Sequence, residues 1–274
     1  MVVARSIKLV ALDMDGTILD KNGQLADGIS EEIARITADG VRVILATGRM
    51  AQSARPYWEQ LNLGEGPLIA YNGGLIEWQP QGTDLFKAQL PNHAAREIIQ
   101  EAVAQNILAQ VYVGHELWLS REDAMARRYI ETNRITGWVK PLEEMLVWPE
   151  PPIKILLQDD PFVLDQLREA MQADMARQHV RFVKSQPQYL EAVPETVGKG
   201  PALQAACAVL DIPLEHVLAI GDGENDIDML QVAGWGVAMG QAPACVKRAA
   251  DVVAPSFQEK GALWALQHFV TGKA

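Results

Sequence analysis

Apolar runs and helical spacings alternate at both ends of the chain. Ile7 to Leu12 is an apolar run of strand length, broken by the polar, glycine-containing segment Asp13 to Thr17. Ile29, Ile33 and Ile36 recur at helical spacing around Ser30 to Asp39, and Gly40 follows as a helix cap. Val41 to Ala46 is a second near-continuous apolar strand, leading into Thr47-Gly48-Arg49 and a further helical stretch; Pro67 to Tyr71 predicts a third strand. Apolar strands without polar alternation, separated by helices, belong to a parallel sheet covered on both faces. The same grammar returns near Lys199: a helix to Leu210, a strand over 216–220, then a loop from Gly221 to Asn225. Both ends of the chain are expected to build one sheet.

The middle of the chain is more polar and its strands are shorter. Strands are expected near 110–113, 117–119, 153–157 and 180–183, interleaved with helices over 92–105, 122–134 and 161–174. Pro141, Pro149, Pro151 and Pro152 mark loops. The expected fold class is therefore α/β. A parallel-sheet core of residues 1–82 and 191–274 is interrupted by an inserted α+β domain, 83–190, with linkers near 80–86 and 187–194.

Composition narrows the class. With 49% hydrophobic and 22% charged residues over 274 positions, the chain has the material for two packed domains rather than a disordered segment or a rod. A net charge of −11 disfavours nucleic acid and anionic membrane as partners, because both would repel it. Cys207 and Cys245 are too few for a disulfide scaffold. No apolar run reaches the roughly 18–20 residues of a membrane span. The apolar stretch behind Arg5 and Lys8 ends at Asp13, too soon for a signal peptide, so a cytoplasmic protein is expected.

The chemistry is concentrated where a parallel sheet places it, beyond the carboxyl ends of the strands. Asp13-Met14-Asp15-Gly16-Thr17, Thr47-Gly48-Arg49 and Gly221-Asp222-Gly223-Glu224-Asn225-Asp226 each follow a strand. One such segment reads equally well as a turn, since Asp, Asn and Gly favour turns for backbone reasons. Three at matching strand ends point to a site. Asp13, Asp15, Asp222 and Asp226 gathered together would raise one another's pKa unless a cation neutralised them, and hard oxygen ligands favour Mg²⁺. Other patterns fail. Ile227 and Ala233 occupy the glycine and glutamate positions of an EF-hand loop, and 197–201 lacks the spacing of a phosphate-binding Walker loop. The five histidines are dispersed, and Cys207 lies in an apolar helical pattern that reads as core.

These residues carry a resemblance. Asp13-Met-Asp15-Gly-Thr17, Thr47, Lys199 and Gly221-Asp222 to Asn225-Asp226, in that order, resemble the haloacid dehalogenase (HAD) superfamily. Leu45-Ala-Thr-Gly-Arg49, Tyr71-Asn-Gly-Gly74, Val197-Gly-Lys199-Gly and Gly236-Val-Ala-Met-Gly240 bring the chain closer to the Cof-type phosphatases, subfamily IIB. The resemblance implies a Rossmannoid core with an inserted C2-type α+β cap. It implies a Mg²⁺-dependent phosphatase of small phosphorylated metabolites, sugar phosphates foremost, working through an aspartyl-phosphate. Asp13 is then the nucleophile and Asp15 the general acid and base. Lys199 and Thr47 balance and hold the phosphoryl group, and Thr17, Gly48, Arg49 and Asn225 are candidate substrate contacts. Mg²⁺ falls to Asp13, Asp15 through its main-chain carbonyl, Asp222 and Asp226. A phosphomannomutase-like mutase and a noncatalytic phospho-ligand sensor are the alternatives; an intact Asp15 disfavours the sensor. Related sequences carry an acid near the C-terminus where this chain has Lys260, in Phe257-Gln-Glu-Lys260-Gly261, which leaves the part played by that loop open. The oligomeric state is not legible.

Overall fold

The computed structural model describes residues 6–133 and 135–272 and divides into two compact units, residues 1–85 with 198–274, and residues 86–197. In the first unit, β1 (Leu9–Leu12), α1 (Ile29–Ala38), β2 (Arg42–Leu45), α2 (Ala51–Gln60), β3 (Gly66–Ala70) and β4 (Leu75–Gln79) follow in order, and β5 (Thr83–Lys87) spans the division. After the insertion come α7 (Lys199–Leu210), β12 (Val217–Gly221), α8 (Ile227–Val232), β13 (Trp235–Ala238), α9 (Ala244–Ala249), β14 (Val252–Val253) and α10 (Gly261–Phe269). The second unit holds α3 (Asn92–Ala104), β6 (Leu108–Val113), β7 (Glu116–Leu119), α4 (Ala124–Asn133), β8 (Gly137–Val139), α5 (Leu142–Met145), β9 (Lys154–Gln158), α6 (Pro161–Arg177), β10 (Val180–Gln186) and β11 (Tyr189–Pro194).

The core sheet runs β14-β13-β12-β1-β2, every pair parallel. Leu9 to Leu12 face Val217 to Ile220 on one side and Arg42 to Leu45 on the other, so the first and last parts of the chain interleave at the centre of one sheet. All four residues of β1 and all five of β12 are buried, which is why neither alternates apolar with polar. The α/β class is as expected. The third strand differs: β3 pairs antiparallel with β4 in a separate three-stranded sheet, and joins β2 only through a parallel bridge from Ala46 to Ile69. A fully apolar pentad looks the same in either setting.

The inserted unit is a six-stranded mixed sheet in the order β10-β11-β9-β6-β7-β8. One face, built by Ala109, Val111, Ile155, Leu157, Phe182, Leu190 and Ala192, packs with Ile98, Ile99, Leu164 and Leu167 of α3 and α6. Several alternate positions are polar yet buried. Lys154 pairs with Glu191 at 3.1 Å and lies over the Tyr112 ring, and Gln110 Nε2 donates to Gln158 Oε1 at 2.8 Å. The segment 187–194, expected as a linker, contains β11, which pairs with both β9 and β10. Tyr189 to Pro194 alternates in burial partners rather than in polarity, and its terminal proline reads as a loop signal. The division accordingly falls after 197 where the sequence placed it after 190, and after 85 where it was placed after 82. The expected helix end at Arg134 lies outside the described residues, as does Arg5; α4 is described to Asn133. No helix among the described residues is long and apolar enough to cross a membrane.

Candidate active site

Asp13 is the first residue beyond β1, and its amide donates to the Ile220 carbonyl at 2.9 Å, which ties it to the end of β12. Lys199 is the first residue of α7, preceded by Gly198 in extended conformation. Its side chain is fully buried, and Nζ lies 2.6 Å from Asp13 Oδ1 and 2.6 Å from Asp226 Oδ1. Asp226 is also fully buried, and its Oδ2 accepts from the amides of Asp222 at 2.9 Å and Gly223 at 2.8 Å. Gly73, at φ 92, makes this approach of α7 possible: a Cβ there would overlap the Gly198 carbonyl.

Asp13, Asp222 and Asp226 each offer a carboxylate oxygen, all within 4.8 Å of one another. Gly16, at φ 81, lies so close to the Asp222 carboxylate that any side chain would collide with it. Thr17 Oγ1 sits 3.5 Å from Asp222 Oδ1. Lys199 offsets only one of the three negative charges. Burial, then the charges of Asp226 and Asp222, hold the Asp13 carboxyl well above the usual carboxylate range, against the opposing pull of Lys199. Burial and the charge of Asp226 push Asp222 up to about 7. Burial alone disfavours the Lys199 ammonium, but Asp13 and Asp226 outweigh it and its pKa is raised. The donor set, all oxygen and two charges in excess, fits a hard divalent cation.

A second group of residues gathers beyond β2. Thr47 is buried; its amide donates to Ile69 O at 2.9 Å, and Oγ1 accepts the Arg49 amide at 3.1 Å. Arg49 is buried as well, and holds Asp15 with two bonds, Nε to Oδ2 at 2.7 Å and Nη2 to Oδ1 at 2.5 Å. Its remaining nitrogen reaches Ser53 Oγ at 3.3 Å. The residues beyond β1 and β2 are therefore linked side chain to side chain. Asn225 Nδ2 donates to Asn72 Oδ1 at 2.8 Å, and Asn72 Oδ1 also lies against Gly48. Asn72 is buried, in a left-handed conformation with φ 57 and ψ 31. Lys260 points elsewhere, toward Asp27 at 3.8 Å. Cys207 is buried in α7, and its thiol is pushed up to about 11 by desolvation, as fits a core residue.

The constellation of nucleophile-type carboxylate, buried lysine and acidic cluster at the ends of a parallel sheet has relatives. The haloacid dehalogenase-like hydrolase family matches residues 10–266. The chain belongs to this family. A Bacillus subtilis relative, the 5-amino-6-(5-phospho-D-ribitylamino)uracil phosphatase YcsE, is 29% identical over 269 residues, covering 96% of each chain. A haloacid dehalogenase-like hydrolase from Bacteroides thetaiotaomicron superposes with a TM-score of 0.84 at 28% identity, over 96% of this chain and 99% of that one. The subclass IIB sugar phosphatase BT4131 shares the fold, with a TM-score of 0.84 at 21% identity over 96% and 98%. This HAD enzyme is a phosphatase, and its fold has the parallel core and inserted mixed sheet of subclass IIB. Two residues in its site lie outside the set named from sequence. Asn72 lies within the Tyr71 to Gly74 motif without a role of its own, and Gln241 directly follows the Gly236 to Gly240 motif.

Proposed function

We propose that this phosphatase is Mg²⁺-dependent and releases phosphate from small phosphorylated metabolites, sugar or sugar-alcohol phosphates foremost, through an aspartyl-phosphate on Asp13. The observation that carries the reading is Lys199, buried and set 2.6 Å from both Asp13 and Asp226 within the acidic cluster. A lysine placed there keeps a nucleophilic carboxylate in line while compensating incoming phosphate charge. In the first step an Asp13 oxygen bonds phosphorus, the ester P–O bond breaks, and the leaving oxygen takes a proton from Asp15. In the second, water attacks phosphorus, Asp15 takes back a proton, and Asp13 and inorganic phosphate separate. Because Arg49 holds both Asp15 oxygens, Asp15 serves as acid only once Arg49 transfers its bonds to a phosphoryl oxygen. Thr47 Oγ1 accepts from the Arg49 amide, which leaves its hydroxyl hydrogen to donate to the same group. Asp13, Asp222, the Asp15 carbonyl and, directly or through water, Asp226 would hold Mg²⁺, which would supply charge neutralisation for the phosphoryl group. The sugar preference draws support from the ribityl phosphate in the name of the Bacillus relative and the sugar phosphatase named among the structures.

Chelation with EDTA is expected to stop phosphate release, and Mg²⁺ to restore it; Ca²⁺, with its looser coordination, replaces it poorly. Full turnover in metal-free buffer overturns the assignment. Release of inorganic phosphate without a phosphorylated isomer separates hydrolysis from a mutase. The pH dependence follows from the raised carboxyls. A pKa higher in the folded than in the unfolded state stabilises the fold at low pH. That stability is lost as pH rises from about 4 towards about 7, so the metal-free protein weakens over this window. Protons and Mg²⁺ compete for the same oxygens, so the melting-temperature gain on adding Mg²⁺ grows across the same window. A gain that shrinks with rising pH counts against these ligands.

Residues 86–197 are proposed to select the leaving group. Exchanging them for the corresponding segment of a related phosphatase is expected to move the order of preference among hexose, pentose and polyol phosphates while preserving the metal requirement. Preferences that stay with the core overturn this proposal.

A further inference from the structure

The two late carboxylates of the cluster are held by different means. Both oxygens of Asp226 are occupied, Oδ1 by Lys199 and Oδ2 by the amides of Asp222 and Gly223. Asp222 is oriented by side chains instead. Its Oδ1 faces Thr17 Oγ1 at 3.5 Å, and its Oδ2 accepts from Gln241 Nε2 at 3.3 Å. The same Gln241 nitrogen donates to the Gly16 carbonyl at 2.7 Å, and Gln241 Oε1 accepts the Phe257 amide at 2.9 Å. One planar amide therefore joins three stretches of chain: the loop after β1, the loop after β12, and the turn before α10.

That turn is a firm anchor. Ser256 and Glu259 cap it reciprocally, Ser256 Oγ to Glu259 Oε2 at 2.7 Å and Ser256 N to the same oxygen at 3.1 Å. Gly261 N donates to Ser256 O at 2.9 Å, and Gly240 N to Pro255 O at 3.0 Å. The terminal torsion of an aspartate is soft, so a carboxylate with no directed donor samples a broad arc. Gln241, fixed at its far end by Phe257, narrows that arc, and it fixes the Gly16 carbonyl, one residue from Asp15, at the same time. The departure at Lys260 leaves this arrangement alone, because Lys260 turns to Asp27 while the Phe257 amide does the holding.

We infer that Gln241 is a positioning residue for the metal site: it orients Asp222 against the Phe257 to Glu259 turn, so that this turn contributes to Mg²⁺ affinity without touching the ion. The inference rests on the assignment of Mg²⁺ to Asp13, Asp222 and Asp226. Partners behind metal ligands typically change affinity by about 10–100-fold when removed, and an exposed partner belongs at the lower end.

The test is calorimetric titration of the EDTA-treated full-length protein with Mg²⁺, paired with melting of the metal-free form. Gln241→Ala is expected to weaken Mg²⁺ binding about tenfold, leave the metal-free melting temperature unchanged, and recover wild-type kcat at saturating Mg²⁺. Phe257→Pro removes the anchoring N–H together with the ring, at the first position of a helical turn where proline is tolerated; Ser256 at φ −68 and ψ 168 already has the extended conformation that must precede it. It is expected to weaken Mg²⁺ about threefold, whereas Phe257→Ala, which retains the amide, leaves binding unchanged. Wild-type affinity in Gln241→Ala overturns the inference, and so does a loss matched by melting of the metal-free fold. Equal losses in Phe257→Pro and Phe257→Ala overturn the part assigned to the turn. A wild-type protein that takes up no Mg²⁺ by calorimetry overturns the metal assignment itself, a result distinct from all of these.

Discussion

Asp13→Asn is expected to abolish turnover, by about 10⁴-fold or more, and to leave no phosphate on the protein after exposure to substrate. The amide is nearly isosteric and still accepts from Lys199 Nζ, so the buried cluster keeps its shape. What it lacks is the anionic oxygen that bonds phosphorus. Asp15→Asn should fail differently. Its neighbour Arg49 retains an acceptor, Asp13 retains its charge, and only the transferable proton is gone. On an alkyl phosphate the loss is expected at about 10²–10⁴-fold, the usual worth of general acid–base catalysis. On p-nitrophenyl phosphate, whose leaving group needs little protonation, transfer to Asp13 is largely spared. Water attack on the aspartyl-phosphate is still slowed, so phosphorylated protein accumulates and is seen by mass as a burst. Equal losses on both substrates, with no burst, would remove Asp15 from the role of acid.

Much of this site was legible because its residues sit in short contiguous motifs at strand ends. Asp13, Asp15 and Thr17 are neighbours in sequence, and so are Asp222, Asn225 and Asp226, so a reading of β1 and β12 as parallel strands is enough to bring the acids together. Lys199 was found only through the order of motifs. Nothing local separates a lysine at a helix start from a solvated one, and its complete burial depends on Gly73 and Gly198 meeting across the chain. Arg49 was expected at the site, but its bidentate partner was not: residues 34 apart in sequence leave no periodic trace. Asn72 and Gln241 were missed for the same reason, since each acts by reaching another loop. In the inserted unit, β8 and β11 escaped because a three-residue strand gives no period, and a strand ending in proline reads as a loop.

Replacing Lys199 with Met is expected to affect stability and turnover together, and to do so in a pH-dependent way. The side chain is fully buried, and its ammonium is set 2.6 Å from each of two buried carboxylates. Methionine fills a similar volume but leaves Asp13 and Asp226 without their shared counter-ion. Breaking a buried ion pair on one side costs about 3–5 kcal/mol, because the remaining charge stays desolvated. Here a proton offers partial relief. The Asp13 carboxyl already lies well above its ordinary range with Lys199 present, and without the lysine it rises further. A raised carboxyl stabilises the fold at low pH and loses that contribution as pH climbs through the folded value. The deficit of the variant relative to the parent is therefore smaller on the acid side of the Asp13 titration than on its alkaline side, and stability is to be compared at about pH 5 and about pH 8. Turnover with Mg²⁺ should fall by about 10²–10³-fold, the scale seen when one fixed donor to a developing charge is removed. Lys199→Arg is expected to restore little of either, since a planar fork cannot occupy the slot of a point charge between two carboxylates. Denaturant melts of the metal-free proteins at both pH values read the first effect, and phosphate release reads the second. A deficit equal at both pH values, or turnover close to that of the parent, would show that Lys199 does not serve as the counter-ion of the nucleophile.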